Sequence, residues 1–451
     1  MADYDMIVLG SGNAGTAAAT EATKAGWKVA LVESRDVGGT CALRGCVPKK
    51  VLVAAGEALE AIAGAPVHHI EVDPPRLDWA ALIERERSFV EGVPDKFEAG
   101  LRERGIEVIH GRARFVSRNE VEVNGDRISA RKMVVAVGSK PRSLPFAGAE
   151  HLITSDDFLR MRDRPARAVF VGAGVIAFEF AHLLARAGTR VTMLEVADRP
   201  LPPFDADAVD RLVAHGRELG IELRTGVSVQ AVERGNDGYV VRFREAGSAS
   251  ALETDRVIHG AGRVAALDDL ELDAAGVAVD DGKPRLDAHL RSRTNPDVSF
   301  AGDARGPGPQ LSPVATYEGR LVARNAIHMG ASHPRTPDYG SVPACVFTVP
   351  ALATVGQTER QAREGGASIE VHETDMSGWI SGRTYGEKVA YSKILVDEGT
   401  RRLLGAHLVG HGAPEVIHAF ALAMRHGLGA DALEEMVYAY PTFHADIRNQ
   451  L

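Results

Sequence analysis

The stretch that decides the fold is Asp5-Met6-Ile7-Val8-Leu9-Gly10-Ser11-Gly12-Asn13-Ala14-Gly15, close to the N-terminus. An apolar strand runs directly into three glycines with GxGxxG spacing, and an alanine-rich helix follows to about Gly26. A second strand over residues 28–32 ends at Glu33. In such a unit the glycines allow a tight turn and close backbone approach to a pyrophosphate, while the acid accepts hydrogen bonds from ribose hydroxyls.

The same pattern returns later in the chain. A strand over residues 168–171 precedes Gly172-Ala173-Gly174-Val175-Ile176-Ala177, and a strand over residues 190–194 ends at Glu195. Gly10 to Glu33 and Gly172 to Glu195 both span 23 residues. One GxGxxG motif alone is a weak signal, but two strand–loop–helix units of equal span predict two dinucleotide sites.

Two of the three cysteines lie five positions apart in Gly38-Gly39-Thr40-Cys41-Ala42-Leu43-Arg44-Gly45-Cys46-Val47-Pro48-Lys49-Lys50. Positions five apart on a regular helix lie about 7.5 Å apart along its axis, whereas a disulfide needs α-carbons closer than about 7 Å. The helix must therefore be distorted, and Gly45 and Pro48 stand where a distortion is needed. Neighbouring lysines favour the thiolate. The pattern predicts a redox-active disulfide; the alternative is two buried cysteines on one helix.

Length and composition indicate a multidomain globular protein. A chain of 451 residues suggests two to four domains. A net charge of −9 without a long basic run argues against nucleic acid or an anionic membrane as a partner. No apolar run approaches the length of a membrane span, the N-terminus shows no signal peptide, and so few cysteines suggest a reducing cytoplasm. From about Tyr339, strand-like and helical segments alternate as in a separate α+β domain.

Together these motifs resemble the class I pyridine nucleotide-disulfide oxidoreductases, the flavoprotein family of glutathione reductase, dihydrolipoamide dehydrogenase and mercuric reductase. The resemblance covers essentially the whole chain and extends to the segments Gly111-Arg112-Ala113-Arg114-Phe115, Ala301-Gly302-Asp303, Val346-Phe347-Thr348 and Leu404-Gly405-Ala406-His407. It implies an α/β fold with two Rossmann-like dinucleotide-binding domains and a C-terminal α+β dimerisation domain. The expected bounds are 1–144 for the first part of the FAD domain, 145–264 for the NAD(P)H domain, 265–338 for a central segment completing the FAD domain, and 339–451 for the interface domain of a homodimer.

The resemblance also implies a tightly bound FAD in each subunit and a site for NADH or NADPH. Glu33 and the first glycines would hold the ADP half of FAD, Ala113 the adenine, and Asp303 the ribityl chain. The helix that begins in Leu311-Ser312-Pro313-Val314-Ala315 would point at the N1–O2 edge of the flavin. The residues expected to bind the two cofactors are Gly10, Gly12, Ala14, Gly15, Glu33, Thr40, Lys49, Ala113, Gly138, Gly172, Gly174, Ala177, Glu195, Gly262, Arg263, Asp303 and Ala315. No metal site is expected.

The expected reaction passes electrons from NAD(P)H through FAD and the Cys41–Cys46 disulfide to a small-molecule or small-protein disulfide. Cys46 would face the flavin, and Cys41 would be the exposed thiol that attacks the substrate. Lys49 would lie near flavin N5 and pair with Glu179; the alternative is that both are ordinary surface charges. Arg44 is expected on a solvated helix face, and Cys345 is expected to be a buried, inert thiol.

The choice of nicotinamide cofactor is predicted from the end of the second unit. Glu195 suits a free 2′-hydroxyl and repels a 2′-phosphate. Val196 and Ala197 follow where NADPH-using relatives place arginines, although Arg190 and Arg199 are nearby. NADH is therefore favoured over NADPH.

The C-terminus departs from the family pattern. Disulfide-reducing relatives carry a histidine, which acts in the partner subunit, and a glutamate that orients it. Here Tyr440 and Ala445 occupy those positions, within Tyr440-Pro441-Thr442-Phe443-His444-Ala445-Asp446. Three interpretations stay open: Tyr440 is the acid, His444 or Asp446 has replaced it, or the substrate needs no strong proton donor. Reduction of a metal, as in mercuric reductases, or of a quinone is therefore the alternative function, and a flavin-bearing subunit without turnover is a third.

Overall fold

The computed structural model describes residues 2–328 and 334–451. The strands, in chain order, are β1 Tyr4–Leu9, β2 Val29–Glu33, β3 Ile106–His110, β4 Ala113–Ser117, β5 Glu120–Val123, β6 Asp126–Val135, β7 Ser139–Pro141, β8 Arg167–Val171, β9 Arg190–Leu194, β10 Ile221–Arg224, β11 Val227–Gly235, β12 Gly238–Glu245, β13 Ser248–Thr254, β14 Arg256–His259, β15 Arg263–Ala265, β16 Val279–Asp280, β17 Lys283–Pro284, β18 Val298–Phe300, β19 Ala344–Val346, β20 Ala351–Gly356, β21 Ile369–Asp375, β22 Tyr391–Asp397 and β23 Leu403–Gly410.

The α-helices alternate with these strands over much of the chain, as an α/β fold requires. They are α1 Asn13–Lys24, α2 Gly39–Arg44, α3 Cys46–Gly64, α4 Trp79–Ser88, α5 Val93–Glu103, α6 Ser155–Phe158, α7 Val175–Arg186, α8 Ala206–Glu218, α9 Ser312–Ile327, α10 Glu359–Glu364, α11 Ile380–Tyr385, α12 Ala413–His426 and α13 Ala430–Glu434. The chain divides into two compact units, one formed by residues up to 49, 85–142 and 263–338, the other by residues 50–84, 143–262 and 339–451.

The first unit is built on the sheet that the N-terminal motif predicts. Strands β3, β2, β1 and β6 run parallel, β18 joins β6 in parallel, and β5 and β4 extend β6 antiparallel. The central strand β1 is apolar on both faces, with Met6, Ile7 and Val8 fully buried, because helices and neighbouring strands cover both sides of a parallel sheet. Helix α1 packs against α9 on one face. The loop after β1 thus lies at the carboxyl edge of the strands, where nucleotides bind in such folds.

The second unit repeats the dinucleotide-binding pattern and adds the C-terminal sheet. A parallel sheet is formed by strands in the order β10, β9, β8 and β14. Between β10 and β14 in the chain, a separate antiparallel sheet is formed by β11, β12 and β13. The C-terminal segment forms an antiparallel sheet in the order β19-β20-β23-β22-β21, with α12 packed on β20 and β23. The predicted fold class, with two Rossmann-like parts and a C-terminal α+β part, is confirmed.

The expectation that no apolar run approaches the length of a membrane span is wrong. Among the described residues, the helical stretch Gly39–His68 is long and apolar enough to cross a membrane by length and composition, with a mean hydropathy of 1.3 in its most apolar window. A single helix of this kind is weak evidence, because core helices and signal sequences meet the same criterion. The stretch also carries the charged residues Arg44, Lys49, Lys50, Glu57 and Glu60.

Candidate active site

The first dinucleotide loop is held by the acid at the end of β2. One oxygen of the Glu33 carboxylate accepts hydrogen bonds from the backbone N–H of Ser11 at 2.8 Å and from its hydroxyl at 2.6 Å. The other oxygen accepts the N–H of Arg35 at 2.8 Å. A Cβ at Gly15 would lie only 1.8 Å from the carbonyl oxygen of Gly10. The loop therefore needs glycine at position 15, and its acid stands beside the N-terminus of α1 as the motif predicts.

A close backbone contact joins this loop to the cysteine motif. Gly39, the first residue of α2, has a φ of +72°, and a Cβ there would lie 2.4 Å from the Cα of Gly12. The hydroxyl of Ser11 also accepts the N–H of Gly38 at 3.1 Å. Only glycine combines this conformation with this approach. The segment that carries Cys41 is thereby fixed directly on the nucleotide-binding loop.

The helix is interrupted between the two cysteines, as their spacing predicts. Helix α2 ends at Arg44, Gly45 adopts φ −149° and ψ −112°, and α3 begins at Cys46. A Cβ at Gly45 would lie 3.0 Å from the carbonyl oxygen of Thr40, so a larger residue would strain the break. This interruption brings two thiols together that a continuous helix would hold apart.

The two thiols have opposite electrostatic environments. The expectation that Cys41 is the exposed thiol of the pair is wrong: Cys41 is half-buried and Cys46 is exposed. A hydrogen bond from the Cys46 thiol, assisted by the Ser312 hydroxyl, the Cys46 backbone N–H and the charge of Lys49, lowers the pKa of Cys41 to about 6 against the opposing effect of burial. The pKa of Cys46 is raised, because its thiol donates to Cys41 and because its ionisation beside that sulfur is unfavourable. The geometry therefore marks Cys41 as the first thiolate, while the predicted division of labour between the two stays a prediction.

The N-terminus of α9 approaches the same thiol. The side-chain amide of Asn13 donates to the hydroxyl of Ser312, the first residue of α9, and Ser312 is one of the groups that lower the pKa of Cys41. A Cβ at Gly302 would meet the Cβ atoms of Ala14 at 3.2 Å and Ala315 at 3.3 Å. Ala14 and Ala315, both predicted cofactor-binding residues, therefore line one narrow gap. The roles of Asn13 and Ser312 were not predicted, because nothing local in either motif indicates the contact.

The hydroxyl of Ser139 links Asp303 and Arg263, two predicted cofactor-binding residues of the first unit. The hydroxyl of Ser139 donates to Asp303 at 2.7 Å and accepts from the Arg263 guanidinium at 2.9 Å. The guanidinium also donates to the Ser139 carbonyl at 2.6 Å, across the β7–β15 pair. Ser139 was missed as a site residue, although it directly follows the predicted turn at Gly138.

The second dinucleotide loop repeats the arrangement of the first. The Glu195 carboxylate accepts the N–H of Ala173 at 2.6 Å and that of Ala197 at 2.9 Å. The Arg199 guanidinium donates to the carbonyl of Phe204 at 3.0 Å, while Val196 is exposed. The charged side chain that contacts the second dinucleotide loop is thus the Glu195 carboxylate and not the Arg199 guanidinium.

The structure shows the surroundings of three charged residues, Glu179, Arg44 and Lys49, for which the sequence alone could not decide between a surface position and a role in the site. Glu179 is only 5% exposed and accepts the N–H of Phe347 at 2.9 Å, so its interpretation as a surface charge is wrong. The expectation of a solvated Arg44 is also wrong: the side chain is 7% exposed and lies 3.8 Å from Asp36. Lys49 acts electrostatically on Cys41, and its pairing with Glu179 stays a prediction. The expectation that Cys345 is buried is wrong, because its thiol is half-buried on β19.

The C-terminal turn is open to solvent. Tyr440, which precedes a cis peptide bond to Pro441, is 72% exposed, and His444 is also exposed. Asp446 is buried, accepts the hydroxyl of Ser381, and has its pKa raised by that burial. Exposed apolar side chains accompany the turn in the C-terminal segment, namely Leu422, Leu428, Met436 and Val437.

The first unit fits FAD. A pyrophosphate needs backbone N–H groups at a helix N-terminus and a backbone without side chains, and the loop from Gly10 to Gly15 offers both. A ribose needs an acceptor at the end of the second strand, and Glu33 stands there. These features are repeated at Gly172–Ala177 and Glu195 in the second unit, as a second dinucleotide requires.

Comparison with known proteins places these features in one family. Residues 4–319 match the family model described as pyridine nucleotide-disulphide oxidoreductase, and residues 342–451 match its dimerisation domain. The chain is 34% identical over 444 residues to a mercuric reductase from Bacillus cereus, covering 98% of this chain and 70% of that protein. It is 33% identical over 430 residues to a glutathione reductase from Burkholderia cepacia, covering 94% and 93% of the two chains.

Solved structures give the same result. The HOCl-induced flavoprotein disulfide reductase RclA from Escherichia coli superposes with a TM-score of 0.87 at 27% identity, covering 99% of both chains. The Cu(II) complex of the same protein superposes with a TM-score of 0.88, covering 100% of this chain and 99% of that one.

Proposed function

Because this chain belongs to the pyridine nucleotide-disulphide oxidoreductases, whose members use FAD with NAD(P)H, we propose that it reduces a disulfide substrate through Cys41 and Cys46. Its assignment as an oxidoreductase of the flavoprotein disulfide reductase family is confirmed. The observation that supports the finer proposal is the hydrogen-bonded thiol pair across the break at Gly45, with the pKa of Cys41 lowered to about 6. Such a thiol is substantially ionised at neutral pH and is therefore nucleophilic.

The chemistry of the thiol pair is an exchange in two steps. The Cys41 thiolate attacks one sulfur of the substrate, forming a mixed disulfide and releasing a substrate thiolate, which takes up a proton. Cys46 then loses its proton and attacks the Cys41 sulfur, closing the Cys41–Cys46 disulfide and releasing the second substrate thiol. The two cysteines lose the two electrons that the substrate gains. FAD, when bound, supplies the electron pair from NAD(P)H that returns the disulfide to two thiols.

The residues proposed to hold FAD all belong to the first unit, which also contains Cys41 and Cys46. They are Gly10, Gly12, Ala14, Gly15, Glu33, Thr40, Lys49, Ala113, Gly138, Arg263, Asp303 and Ala315. The nicotinamide dinucleotide is assigned to the second loop through Gly172, Gly174, Ala177, Glu195 and Gly262. We favour NADH, because the Glu195 carboxylate stands where a 2′-phosphate would lie and the Arg199 guanidinium is bonded to Phe204 instead.

Tyr440 is our candidate for the proton donor to the leaving thiolate. Asp446 is buried and bonded to Ser381, which leaves Tyr440 and His444 as the exposed candidates on the turn. The family's dimerisation domain indicates a homodimer, and we propose that this turn serves the partner subunit's thiols. A thiol-based site with three cysteines in the chain also fits a reducing cytoplasm.

The test is NADH-dependent turnover of a panel of disulfides that includes glutathione disulfide, lipoamide and an aromatic disulfide. We expect Cys41→Ser to lower turnover by at least about a thousandfold, because the Cys41–Cys46 disulfide that completes the exchange can no longer form. Cys345→Ser, which removes the remaining thiol of the chain, is the matched control and should retain wild-type rates. Equal turnover in wild type and Cys41→Ser would contradict the proposal.

Metal reduction is a second candidate, supported by the similarity to mercuric reductases and by Tyr440 and Val175, which match the pattern of that group. A dithiol is a suitable ligand for a soft metal ion. NADH oxidation that depends on Hg(II) or Cu(II), requires both Cys41 and Cys46, and exceeds turnover of every disulfide in the panel would favour it. A quinone reductase would instead retain its activity without either cysteine.

A further inference from the structure

We propose that Glu318 is a positioning residue for FAD: its buried carboxylate fixes the turn that carries Asp303. The inference rests on the proposed function, in which Asp303 helps to hold FAD, and deepens it by naming the group that keeps this turn in place. Glu318 lies in α9, outside the motifs that predict the site.

The turn follows a parallel strand of the first sheet. Strand β18 pairs with β6, and the chain then passes through Ala301 into a 3-10 helical turn over Gly302–Arg305. The N–H of Ala301 donates to the carbonyl of Val135 on β6 at 3.1 Å. Asp303 therefore lies at the carboxyl edge of the parallel strands, where nucleotides bind in such folds.

One carboxylate holds both ends of this turn. The Oε2 atom of Glu318 accepts the backbone N–H of Gly302, the first residue of the turn, at 2.7 Å. The Oε1 atom accepts the Nε–H of Arg305, the last residue of the turn, at 2.5 Å. Because Asp303 lies between these two residues, its backbone cannot shift without lengthening at least one of the two bonds.

The Arg305 guanidinium extends the same anchor to the loop that follows. A second N–H group of the guanidinium donates to the carbonyl of Pro307, and a Cβ at Gly308 would lie 2.4 Å from its Nη2 atom. This loop leads to Ser312, where α9 begins. The ion pair therefore holds both the turn and the loop against the helix that carries Glu318.

Burial indicates that this pair defines a position more than it adds stability. The Glu318 side chain is 0% exposed and that of Arg305 is 7% exposed. A buried ion pair contributes little net stability, because the loss of hydration offsets the attraction between the charges. Apolar side chains would fill the same space, but they would not accept the Gly302 N–H.

The Asp303 side chain is held by a second, separate set of contacts. Its carboxylate accepts the Ser139 hydroxyl at 2.7 Å, and that hydroxyl accepts from the Arg263 guanidinium at 2.9 Å. The backbone of Asp303 is thus fixed from α9, and its carboxylate from the β7–β15 pair. Two different parts of the first unit therefore determine where one predicted FAD-binding group lies.

The competing interpretation is that the Glu318–Arg305 pair only stabilises the fold. The two interpretations differ in how variants of Glu318 and Asp303 combine. If Glu318 acts through Asp303, its replacement has little further effect on FAD once the Asp303 carboxylate is lost. If Glu318 only stabilises the fold, its effect on FAD retention multiplies that of the Asp303 variant.

The experiment measures the rate of FAD release from the full-length, flavin-containing protein, as the rise in flavin fluorescence after dilution well below the unfolding temperature. The variants are Glu318→Gln, Asp303→Asn and the double variant. Glutamine keeps the shape of glutamate but turns an N–H donor toward one end of the turn. Glu318→Asp, which is too short to reach both ends, is used should Glu318→Gln fail to fold. Glu21→Gln is the matched control, because Glu21 also accepts from an arginine of α9, Arg324, at 2.7 Å, in a partly exposed pair.

We expect Glu318→Gln and Asp303→Asn each to raise the rate of FAD release by about tenfold, the effect of one hydrogen bond of an ionised group. The double variant should match Asp303→Asn, and Glu21→Gln should match wild type, each within about twofold. An unchanged rate in Glu318→Gln (or in Glu318→Asp), or a rise of about a hundredfold in the double variant, would overturn the proposal. An unchanged rate in Asp303→Asn would overturn it as well, by removing Asp303 from the FAD site. FAD release requires no thiol chemistry, so each of these results leaves the proposed disulfide reduction to the turnover test.

Discussion

At the scale of single residues, the reactivity of Cys41 is a property of its neighbours. The Cys46 thiol, the Ser312 hydroxyl and Lys49 favour its ionised form, and the half-buried position opposes it. The sequence could indicate the effect of Lys49, which lies eight positions away in the same motif. It could not indicate Ser312, because that contact exists only after α9 packs on α1.

Lys49→Met should raise the pH midpoint of Cys41 alkylation by iodoacetamide, because it removes a positive charge that stabilises the thiolate. We expect a shift of about half a pH unit, smaller than that from the loss of a hydrogen bond. Lys50→Met is the matched control, since the Lys50 ammonium pairs with Glu57 at 2.7 Å and lies over the Phe347 ring. A larger shift in Lys50→Met than in Lys49→Met would contradict this account.

Glu387 provides a prediction about stability in the second unit. Burial, together with repulsion from Glu60, raises its pKa to about 7, while the backbone N–H of His411 opposes the shift. A carboxyl whose pKa is raised on folding contributes stability at low pH and loses it as pH rises through the folded value. Glu387→Gln should therefore stabilise the protein at pH 8 by on the order of 1–3 kcal/mol and change it little at pH 4. Chemical denaturation at both pH values checks this; a larger gain at pH 4 would contradict it.

At the scale of elements, the break between α2 and α3 and the packing of α1 on α9 build the site. The break was predictable, because helix geometry alone forbids a disulfide between residues five apart and Gly45 marks the exception. The α1–α9 contact was not predictable, since the motif specifies where α1 begins but not which distant helix covers it. The same limit applies to Ser139, which joins Asp303 and Arg263 only through the β7–β15 pair.

Gly319→Ala should destabilise the α1–α9 contact, because its Cβ would lie 2.1 Å from the Ala14 carbonyl oxygen. We expect a loss of about 1–3 kcal/mol in the free energy of unfolding, the usual cost of overpacking, with weaker retention of FAD. Gly100→Ala in α5 is the control, since its Cβ would meet only the tip of Arg104 at 3.8 Å. Gly100→Ala should leave the free energy of unfolding unchanged or raise it slightly, because alanine has a higher helix propensity than glycine. Urea unfolding and flavin release measure both; equal effects in the two variants would refute the assigned contact.

At the scale of the whole molecule, the order of motifs was sufficient to predict the fold. Two equal strand–loop–helix spans, separated by the cysteine motif, predicted two nucleotide-binding sheets, and both are present. The residue that acts as the acid could not be predicted from the sequence, because the active site that we propose is formed by two subunits, and its composition depends on how they meet. Tyr440 is exposed in the single chain, and its proposed role depends on the homodimer that the dimerisation domain indicates.

Hybrid dimers test whether the C-terminal turn serves the partner. Neither a Cys41→Ser homodimer nor a Tyr440→Phe homodimer contains a complete site. A hybrid of the two contains one complete site if Tyr440 acts across the interface, and it should show roughly half of the wild-type activity per dimer. If Tyr440 acts within its own subunit, the hybrid contains no complete site and should show no recovery. Differently tagged subunits, purified over two affinity columns, make the hybrid accessible.

The most direct test of the account is a thiol count on the flavin-containing protein before and after addition of two electrons from NADH under anaerobic conditions. We predict a gain of two thiols per subunit, which mass spectrometry of alkylated peptides assigns to residues 41 and 46, and no gain in Cys46→Ser. An unchanged thiol count after complete consumption of the NADH would contradict the claim that these two sulfurs carry the electrons.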